Sequence, residues 1–222
     1  MSHQVIIVRR DVLAEARADA GAERQRLTAR GTLAVNLLSS PGAGKTSLLE
    51  ATARYFRGRR SMAVLVGDLE TDRDAQRLSQ YVPTAQLTTG GACHLELPLV
   101  KRGLVQLGDP LVDFLFIENV GNLVCPASHD LGEHLRVVLL STTEGDDKPG
   151  KYPKMFRTSQ ALVISKLDLL PYVPFSTEAA VEDARRIQPD LDVFSVCALD
   201  GRGIGEWCRY LEQRRDELLK NA

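Results

Sequence analysis

The chain has 222 residues and a formal net charge of −1, and 44% of its residues are apolar and 26% charged. This composition predicts a globular protein with one core, and it gives no overall basic field that would attract nucleic acid or a membrane. The apolar runs are too short to span a bilayer, and no signal-peptide pattern begins the chain, so we expect a cytoplasmic protein. Its four cysteines should then be thiols.

A predicted helix comes first, and strands and helices alternate after it. Residues 11–30 are rich in Ala, Glu and Arg, and Gly31 suits the position just after a helix. Several of the following apolar runs are apolar along their whole length, which is typical of strands buried on both faces. The candidate strands are 33–38, 63–66, 111–117, 135–140, 161–164 and 193–196. Residues 143–153 are polar and predict a loop, and the last helix covers about 203–219.

This alternation predicts an α/β fold with a mainly parallel, doubly wound sheet flanked by helices. We expect a single domain over residues 1–222, with residues 1–31 as a helical lead-in packed on it. In such a sheet, ligands bind outside the carboxyl ends of the strands. The segments that follow the strands are therefore the first candidates for a functional site.

The strongest motif is Ser-Ser-Pro-Gly-Ala-Gly-Lys-Thr at residues 39–46, between a candidate strand and a helical pattern. This is the context of a P-loop, in which backbone N–H groups surround phosphates, the lysine reaches the β and γ phosphates and the threonine hydroxyl binds Mg²⁺. Ser39 replaces the usual first glycine, and a ligand-free glycine-rich turn is the alternative. The predicted nucleotide-binding residues here are Pro41, Gly42, Ala43, Gly44, Lys45, Thr46 and Ser47, and the predicted fold is that of a P-loop NTPase.

Acidic residues follow two other candidate strands. Asp68 and Glu118 should flank the phosphates as ligands of Mg²⁺ or as groups that position water, and with Lys45 they are the predicted catalytic residues. Glu118 and Gly121 occupy the place of the Asp-x-x-Gly switch of many GTPases. Asp72 is a fourth catalytic candidate that could orient the attacking water. Solvated strand-end acids, or first-turn helix acids in the case of Asp72 and Asp74, are the alternatives.

A base-recognition motif is predicted at residues 165–168, where Ser-Lys-Leu-Asp replaces the Asn-Lys-x-Asp of many GTPases. The Asp168 carboxylate would accept from guanine N–H groups, and the stem of Lys166 would pack along the base. Cys197 and Ala198 lie where a second loop would contact the guanine oxygen, although this second motif is weak. The predicted ligands are therefore GTP or GDP with Mg²⁺.

Cysteine and histidine residues form a candidate metal site. Cys93 and His94 are expected to begin a helix, and Cys125 follows Glu118 by a short segment. Thiolate and imidazole ligands suit Zn²⁺ or Ni²⁺. Spacing alone leaves open that these cysteines only fill space in the core, as we expect for Cys197 and Cys208. His129 and His134 are surface residues or outer groups of the site in this interpretation.

The motifs together resemble the HypB family, accessory GTPases of the SIMIBI class that incorporate nickel into [NiFe]-hydrogenase. The resemblance extends from about Val5 to Tyr210, and it is carried by residues 36–46, 67–72, 91–95, 117–127, 143–149 and 166–172. It implies a slow GTPase and a nickel site, with zinc possible, at Cys93, His94 and Cys125. It also implies a homodimer promoted by GTP, in which Lys148 reaches the partner's nucleotide.

The resemblance further implies two protein partners, a HypA-like nickel-binding accessory protein and the precursor of the hydrogenase large subunit. Some family members carry an N-terminal Cys-x-x-Cys-Gly-Cys motif or a His-rich tract; this sequence has only His3 in that region, so a tight N-terminal nickel store is not expected. Three other functions stay open at this point: a urease-accessory GTPase, which would have a Cys-Pro-His motif; a nucleotide-ordered binding module without turnover; and a small-molecule kinase, which Asp168 disfavours.

Overall fold

A computed structural model describes residues 8–68 and 73–221 of the chain. Seven parallel strands form one sheet in the order β3-β2-β4-β1-β5-β6-β7, which confirms the predicted fold class. The central position of β1 places the segment that follows it between the carboxyl ends of β4 and β5. The strands are β1 Leu33–Ser39, β2 Met62–Asp68, β3 Thr84–Thr88, β4 Phe114–Glu118, β5 Leu135–Ser141, β6 Ala161–Ser165 and β7 Asp192–Ser195.

Helices cover both faces of the sheet. Alternate strand residues point to opposite faces, so a strand that is apolar throughout supplies two cores. One face packs against α2, α3 and α8, and the other against α1, α4, α6 and α7. The helices are α1 Val8–Ala29, α2 Lys45–Phe56, α3 Arg73–Ser79, α4 Leu97–Gln106, α5 Lys148–Lys151, α6 Pro153–Arg157, α7 Thr177–Ile187 and α8 Ile204–Lys220. Within the described ranges, no helix is both long enough and apolar enough to cross a membrane.

The predicted strands were wrong in two respects. Strand β3 was missed, because only Ala85 and Leu87 are apolar and buried in it while its other residues are polar. Its alternation of polar and apolar residues is the pattern of a half-buried edge strand and was the available signal. Strand β4 begins at Phe114 rather than at residue 111, and the Leu111 side chain is exposed.

Two predictions about helices are also corrected. Cys93 and His94 do not begin a helix, because α4 starts at Leu97, and they lie in the loop before it. Pro98 is in the first turn of α4 as expected, where its missing N–H costs no hydrogen bond. The predicted loop at 143–153 contains the short helix α5, which has Pro149 in its own first turn.

Helix α1 is attached to the amino-terminal edge of the sheet. It ends where Gly31 adopts a φ of 68°, the left-handed conformation that glycine favours after a helix. The His134 ring connects α1 to β1, since its Nδ1 accepts from the Ala34 N–H at 2.9 Å and its Nε2 lies 2.9 Å from the Thr28 Oγ1. Because Nδ1 accepts, Nε2 must carry the proton that bonds Thr28. Arg26 also pairs with Asp109 at 2.9 Å.

The only tryptophan of the chain joins α8 to α2. The Trp207 side chain is fully buried, and its Nε1 donates to the Thr52 Oγ1 at 3.1 Å. Helix α2 begins at Lys45, so this hydrogen bond fixes the helix that follows the glycine-rich loop. The indole gains a buried partner for its polar N–H, which a buried tryptophan needs.

Candidate functional site

The glycine-rich loop connects the end of β1 with the start of α2. Gly42 and Gly44 have φ values of 73° and 96°, which a residue with a Cβ rarely adopts, so the two glycines are required by the shape of the loop. Pro41 and Gly42 are exposed, Ala43 is buried, and Ser47 is half-buried in the first turn of α2. The loop and the amino-terminal end of α2 form a cradle suited to an anionic phosphate group.

Lys45 is buried at the base of this cradle. Its Nζ donates to the Ser39 Oγ at 2.9 Å. The residue that replaces the usual first glycine thus contacts the lysine directly. Burial lowers the pKa of Lys45, and the nearby carboxylate of Glu118 acts in the opposite direction. A bound phosphate would favour the charged ammonium form for the same electrostatic reason.

Glu118 is the buried carboxylate of the cradle. It ends β4, where it pairs in register with Leu37 of β1 and Val66 of β2. The Thr46 Oγ1 donates to its Oε1 at 2.8 Å, while its Oε2 is buried and has no hydrogen-bond partner in the described part of the chain. Burial raises the pKa of Glu118 to about 7, although Lys45 acts in the opposite direction. A buried carboxylate oxygen without a partner suits a cation or a water molecule.

The other predicted acids differ in position. Asp68 ends β2, the neighbour of β4, and its charge acts on Lys45. Asp74 lies in the first turn of α3, is 3.5 Å from Arg77, and also acts on Lys45, so the interpretation as a first-turn acid holds for it without excluding it from the site. Asp72 lies outside the described residues, and its predicted role stays a prediction.

The predicted base pocket lies beside the glycine-rich loop. Lys166 has a φ of 60°, and its main-chain oxygen accepts from the Thr142 hydroxyl at 2.8 Å. Its Cε would be 4.0 Å from a Cβ added at Gly44, so the lysine stem runs along the loop. Ser165, which replaces the usual asparagine, donates to the Ala43 carbonyl oxygen at 2.6 Å. That contact ties β6 to the phosphate loop.

Asp168 contacts the second predicted base loop. The buried Cys197 donates from its Sγ to the Asp168 Oδ1 at 3.3 Å, so this thiol both fills space and touches the predicted base-recognition carboxylate. The main-chain oxygen of the neighbouring Ala198 lies 3.5 Å from Arg54. Cys208, in contrast, lies on α8 and is buried in the hydrophobic core, where burial raises the pKa of its thiol to about 12. The interpretation of Cys208 as a packing residue fits this environment.

Lys148 is engaged within its own chain. Its Nζ lies 3.6 Å from the Glu144 Oε2 and 5.2 Å from the centre of the Tyr152 ring. Glu144 was not predicted as a site residue, yet it also accepts from the Ser141 N–H at 3.1 Å, at the carboxyl end of β5. The single chain therefore holds Lys148 without a partner subunit.

Cys93, His94 and Cys125 come together in the structure. One ligand atom from each lies within 4.8 Å of the others, and they are the only such group of three metal-ligating residues among those described. The Cys93 Sγ is 2.9 Å from the Cys125 Sγ and 3.9 Å from the His94 Nδ1. Cys93 is exposed and the other two are half-buried, so an ion can reach them. Two sulfur atoms and a ring nitrogen are the donors that Zn²⁺ and Ni²⁺ prefer.

His129 is the outer group of this cluster. Its ring stacks on His94 with 3.8 Å between ring centres, and its Nδ1 lies 2.9 Å from the main-chain oxygen of Cys125. A carbonyl oxygen only accepts, so Nδ1 must be the protonated nitrogen. The ring thereby fixes the orientation of one ligand and the backbone of another. His134, at the opposite edge of the sheet, has no contact with the cluster.

Comparison with known proteins gives a consistent picture. Residues 33–195 match the family model described as CobW/HypB/UreG, nucleotide-binding domain. The hydrogenase maturation factor HypB of Azotobacter vinelandii is 44% identical over 98% of this chain and 72% of its own length.

Two solved structures show how far the similarity extends in three dimensions. HypB from Helicobacter pylori in complex with nickel is 38% identical, with a TM-score of 0.87 over 91% of this chain and 96% of that one. The hydrogenase maturation factor HypB from Archaeoglobus fulgidus is 35% identical, with a TM-score of 0.84 over 91% of this chain and 99% of that one.

Proposed function

The chain belongs to the HypB family of hydrogenase maturation factors, and we propose that it is a GTP-hydrolysing metallochaperone that binds nickel and assists its insertion into [NiFe]-hydrogenase. The observation that carries the proposal is the segment from Glu118 to Cys125. It begins with a buried carboxylate bonded to the phosphate loop and ends with a thiol beside Cys93 and His94. One short segment thus belongs to both the nucleotide site and the metal site.

We assign the choice of base to Asp168. Its carboxylate accepts from the N–H groups of guanine, which adenine does not offer in that position. Lys166 packs its stem along the base, and Cys197 and Ala198 close the pocket from the second loop. The contact between the Cys197 thiol and Asp168 supports this assignment, because it brings the two loops together.

We assign the contacts to phosphate and Mg²⁺ to the cradle. Thr46, Asp68 and Glu118 would hold Mg²⁺ through their oxygen atoms, and in P-loop enzymes this ion neutralises charge on the β and γ phosphates. The Oε2 of Glu118 supports this fit, because it is buried and has no hydrogen-bond partner among the described residues. Lys45 stabilises the transferred phosphoryl group, Asp72 orients the attacking water, and we expect slow turnover. Glu118→Gln should lower kcat more than it weakens GTP binding, and wild-type turnover in that variant would contradict the assignment.

We assign the cargo site to Cys93, His94 and Cys125, with nickel as the cargo and zinc as the competing ion. Three ligands leave room for a fourth from water, another side chain or a second subunit. A twofold dimer would bring two ligand sets together, because each contact repeats across the axis. We therefore propose a GTP-promoted homodimer, in which Lys148 exchanges its contact with Glu144 for one across the interface.

We further propose that the dimer receives nickel from, or passes it to, a HypA-like accessory protein and the precursor of the hydrogenase large subunit. The whole chain acts as one GTPase domain with residues 1–31 as its lead-in. The connection of α1 to the sheet through Thr28 and His134 supports this view.

The test is titration of nickel and zinc into the purified protein without nucleotide, with GDP and with a non-hydrolysable GTP analogue. Cys125→Ala should lose nickel affinity by more than the roughly 10–100-fold that an outer-shell change costs. Cys208→Ala is the matched control, because its thiol is buried away from the site. Equal losses of nickel affinity in both variants would contradict the assignment of the metal site. Equal wild-type nickel affinities in the GDP and GTP-analogue states would show that the bound nucleotide does not control nickel binding.

A further inference from the structure

The loop that carries Cys93 and His94 is held by two asparagines of the segment 118–125. The Asn119 Oδ1 accepts from the Leu95 N–H at 3.4 Å. The Asn122 Nδ2 donates to the Cys93 carbonyl oxygen at 3.2 Å. We call these two side chains the asparagine clamp. They grip the backbone on both sides of His94, so the metal loop and the segment that ends at Cys125 are joined at two points.

Asn119 is fixed by bonds in three directions. Its side chain is buried, and its Nδ2 donates to the Asn36 Oδ1 at 3.2 Å in the central strand β1. Its Oδ1 also accepts from the Val120 N–H at 2.9 Å, and its own N–H donates to the Leu37 carbonyl oxygen at 3.0 Å. A buried amide with its donor and acceptor both used has one favourable position, and it moves only with the backbone that carries it.

That backbone is next to the phosphate site. Asn119 directly follows Glu118, whose carboxylate is bonded to Thr46 of the phosphate loop. A Cβ added at Gly121 would lie 2.8 Å from the Cα of Pro41, so this part of the segment packs directly on the loop. Any change that nucleotide and Mg²⁺ cause at these positions therefore reaches Asn119 without an intervening flexible stretch.

The loop that carries Cys93 and His94 also packs against the sheet, through Leu95 at its carboxyl end. Leu95 is fully buried, and a Cβ added at Gly67 in β2 would lie 2.8 Å from its side chain. The loop is thus confined by the sheet on one side and by the clamp on the other. A shift of Asn119 against this fixed support must alter the backbone between Cys93 and Leu95, which carries the His94 ring.

We propose that Asn119 and Asn122 are positioning residues that pass the nucleotide-dependent position of Glu118 to Cys93 and His94, making metal affinity depend on the bound nucleotide. The inference rests on the proposed function and deepens it. The coupling does not depend on movement of Cys125 alone, because each half of the ligand set is tied to the same segment. Coupling of this kind is reciprocal, so nickel must change GTP affinity by the same factor.

The test compares nickel affinity with GDP and with a non-hydrolysable GTP analogue in wild type, Asn119→Ala and Asn122→Ala. The wild-type ratio should lie within about 5–150-fold. It should fall toward unity in each variant while GTP affinity is retained. Gln160→Ala is the matched control, because its side-chain amide also accepts a backbone N–H, that of Arg136, but at the opposite edge of the sheet.

Amide hydrogen exchange gives a second readout that lost stability alone would not reproduce. The Leu95 N–H should exchange at different rates in the two nucleotide states of the wild type, and at one faster rate in both states of Asn119→Ala. If Asn119→Ala does not fold, Asn122→Ala decides the matter. Its side chain is half-buried, and water can replace its two bonds.

The outcomes separate the two levels of inference. Variants that keep the wild-type affinity ratio and the wild-type exchange pattern overturn the clamp and leave the proposed function intact. A wild-type ratio of unity with nickel and GTP both bound overturns the coupling in the proposed function, and the clamp with it. A reduced ratio in Gln160→Ala would also overturn the clamp, because it would show that any lost amide contact has this effect.

Discussion

The proposed nucleotide half and the proposed metal half of the site are built by different means. The phosphate-binding part of the nucleotide half is one continuous loop whose shape follows from glycines at 42 and 44, with Lys45 and Glu118 buried beneath it. The metal half combines two separate loops, its ligands are exposed or half-buried, and side-chain amides hold it in place.

The difference shows which half can adjust. Backbone geometry fixes the glycine-rich loop, so its shape should change little between nucleotide states, whereas the position of the neighbouring Glu118 carboxylate is the one we propose to depend on the nucleotide. The Asn122 side chain is half-buried, so its hydrogen bonds cost little to exchange for water, and the exposed or half-buried metal ligands can occupy more than one arrangement. The cargo site that we propose would benefit from that freedom, because it has to take up and release an ion. Substitutions in each half should separate a fixed half from an adjustable half.

The largest effect is expected in the fixed half. Lys45→Ala removes a buried ammonium from beneath the phosphates and should lower kcat for GTP hydrolysis by about 10²–10³-fold, as for loss of a preorganised charge-stabilising donor. Lys220→Ala, at the exposed end of α8, is the control and should hydrolyse GTP like wild type. Steady-state phosphate release measures both. Unchanged kcat in Lys45→Ala would mean that the cradle does not contact the transferred group.

The base pocket should show a smaller, purely thermodynamic effect. Asp168→Ala removes the acceptor for guanine and should reduce the preference for GTP over ATP by about 1.5–3 kcal/mol. That corresponds to roughly 10–150-fold in the ratio of the two dissociation constants. Asp183→Ala provides the control, because this half-buried residue of α7 pairs with Arg186. Calorimetric titration with both nucleotides decides, and an unchanged ratio would show that another group selects the base.

In the adjustable half, substitution of His129 should lower nickel affinity moderately. Loss of a group that orients a metal ligand lowers metal affinity by about 10–100-fold, and we expect a value toward the lower end of this range. Two substitutions separate its contacts. His129→Phe keeps the ring that stacks on His94 but loses the hydrogen bond to the Cys125 carbonyl, whereas His129→Asn can keep the bond without the ring. Nickel titration followed by the thiolate absorption band reports each. Wild-type nickel affinity in both variants would show that the His129 ring does not support the metal ligands.

The smallest effect concerns His134, far from both halves. Burial lowers its pKa to about 4, so the folded state binds fewer protons than the unfolded state below the ordinary histidine pKa of about 6.5. Stability should therefore fall as the pH drops from about 6.5 toward 4. With the ring half-buried, we expect a loss of about 1 kcal/mol between pH 7 and pH 5.

His134→Asn keeps an acceptor for the Ala34 N–H but cannot titrate. Urea unfolding at both pH values should show a weaker pH dependence in this variant than in wild type, with nickel affinity at pH 7 unaltered. An equally steep pH dependence would assign the acid sensitivity to other groups. A change in nickel affinity would instead show that His134 influences the metal ligands from the opposite end of the strands.

The same contrast explains what the sequence could predict. The order of strands and helices, the phosphate loop and the strand-end position of Glu118 follow from local patterns, because each is encoded in consecutive residues. The start of α4 was not predicted correctly. The edge strand β3 was not predicted either, since its two apolar residues, Ala85 and Leu87, are too few to form an apolar run.

The support of the metal ligands was also beyond local patterns. Asn119 and Asn122 bond residues 93 and 95, which lie far away along the chain, and no spacing rule connects such partners. An available signal was their chemistry. Two amides in a short segment between a strand-end acid and a cysteine suggest side chains that bond neighbouring backbone. The contact of Lys148 with Glu144 depends in the same way on the formation of α5, and the sequence pattern predicted a loop for this segment.

The single buried tryptophan gives the protein a built-in optical reporter. All indole fluorescence arises from Trp207, whose N–H is bonded to the helix that starts at the phosphate loop. A change in the emission of the unlabelled protein on adding nucleotide would therefore originate at one known position between α2 and α8. Because the ring is shielded from water, emission should shift to longer wavelength when these helices separate. Unfolding, and any nucleotide-dependent change between α2 and α8, can thus be followed in real time by the fluorescence of the unlabelled protein.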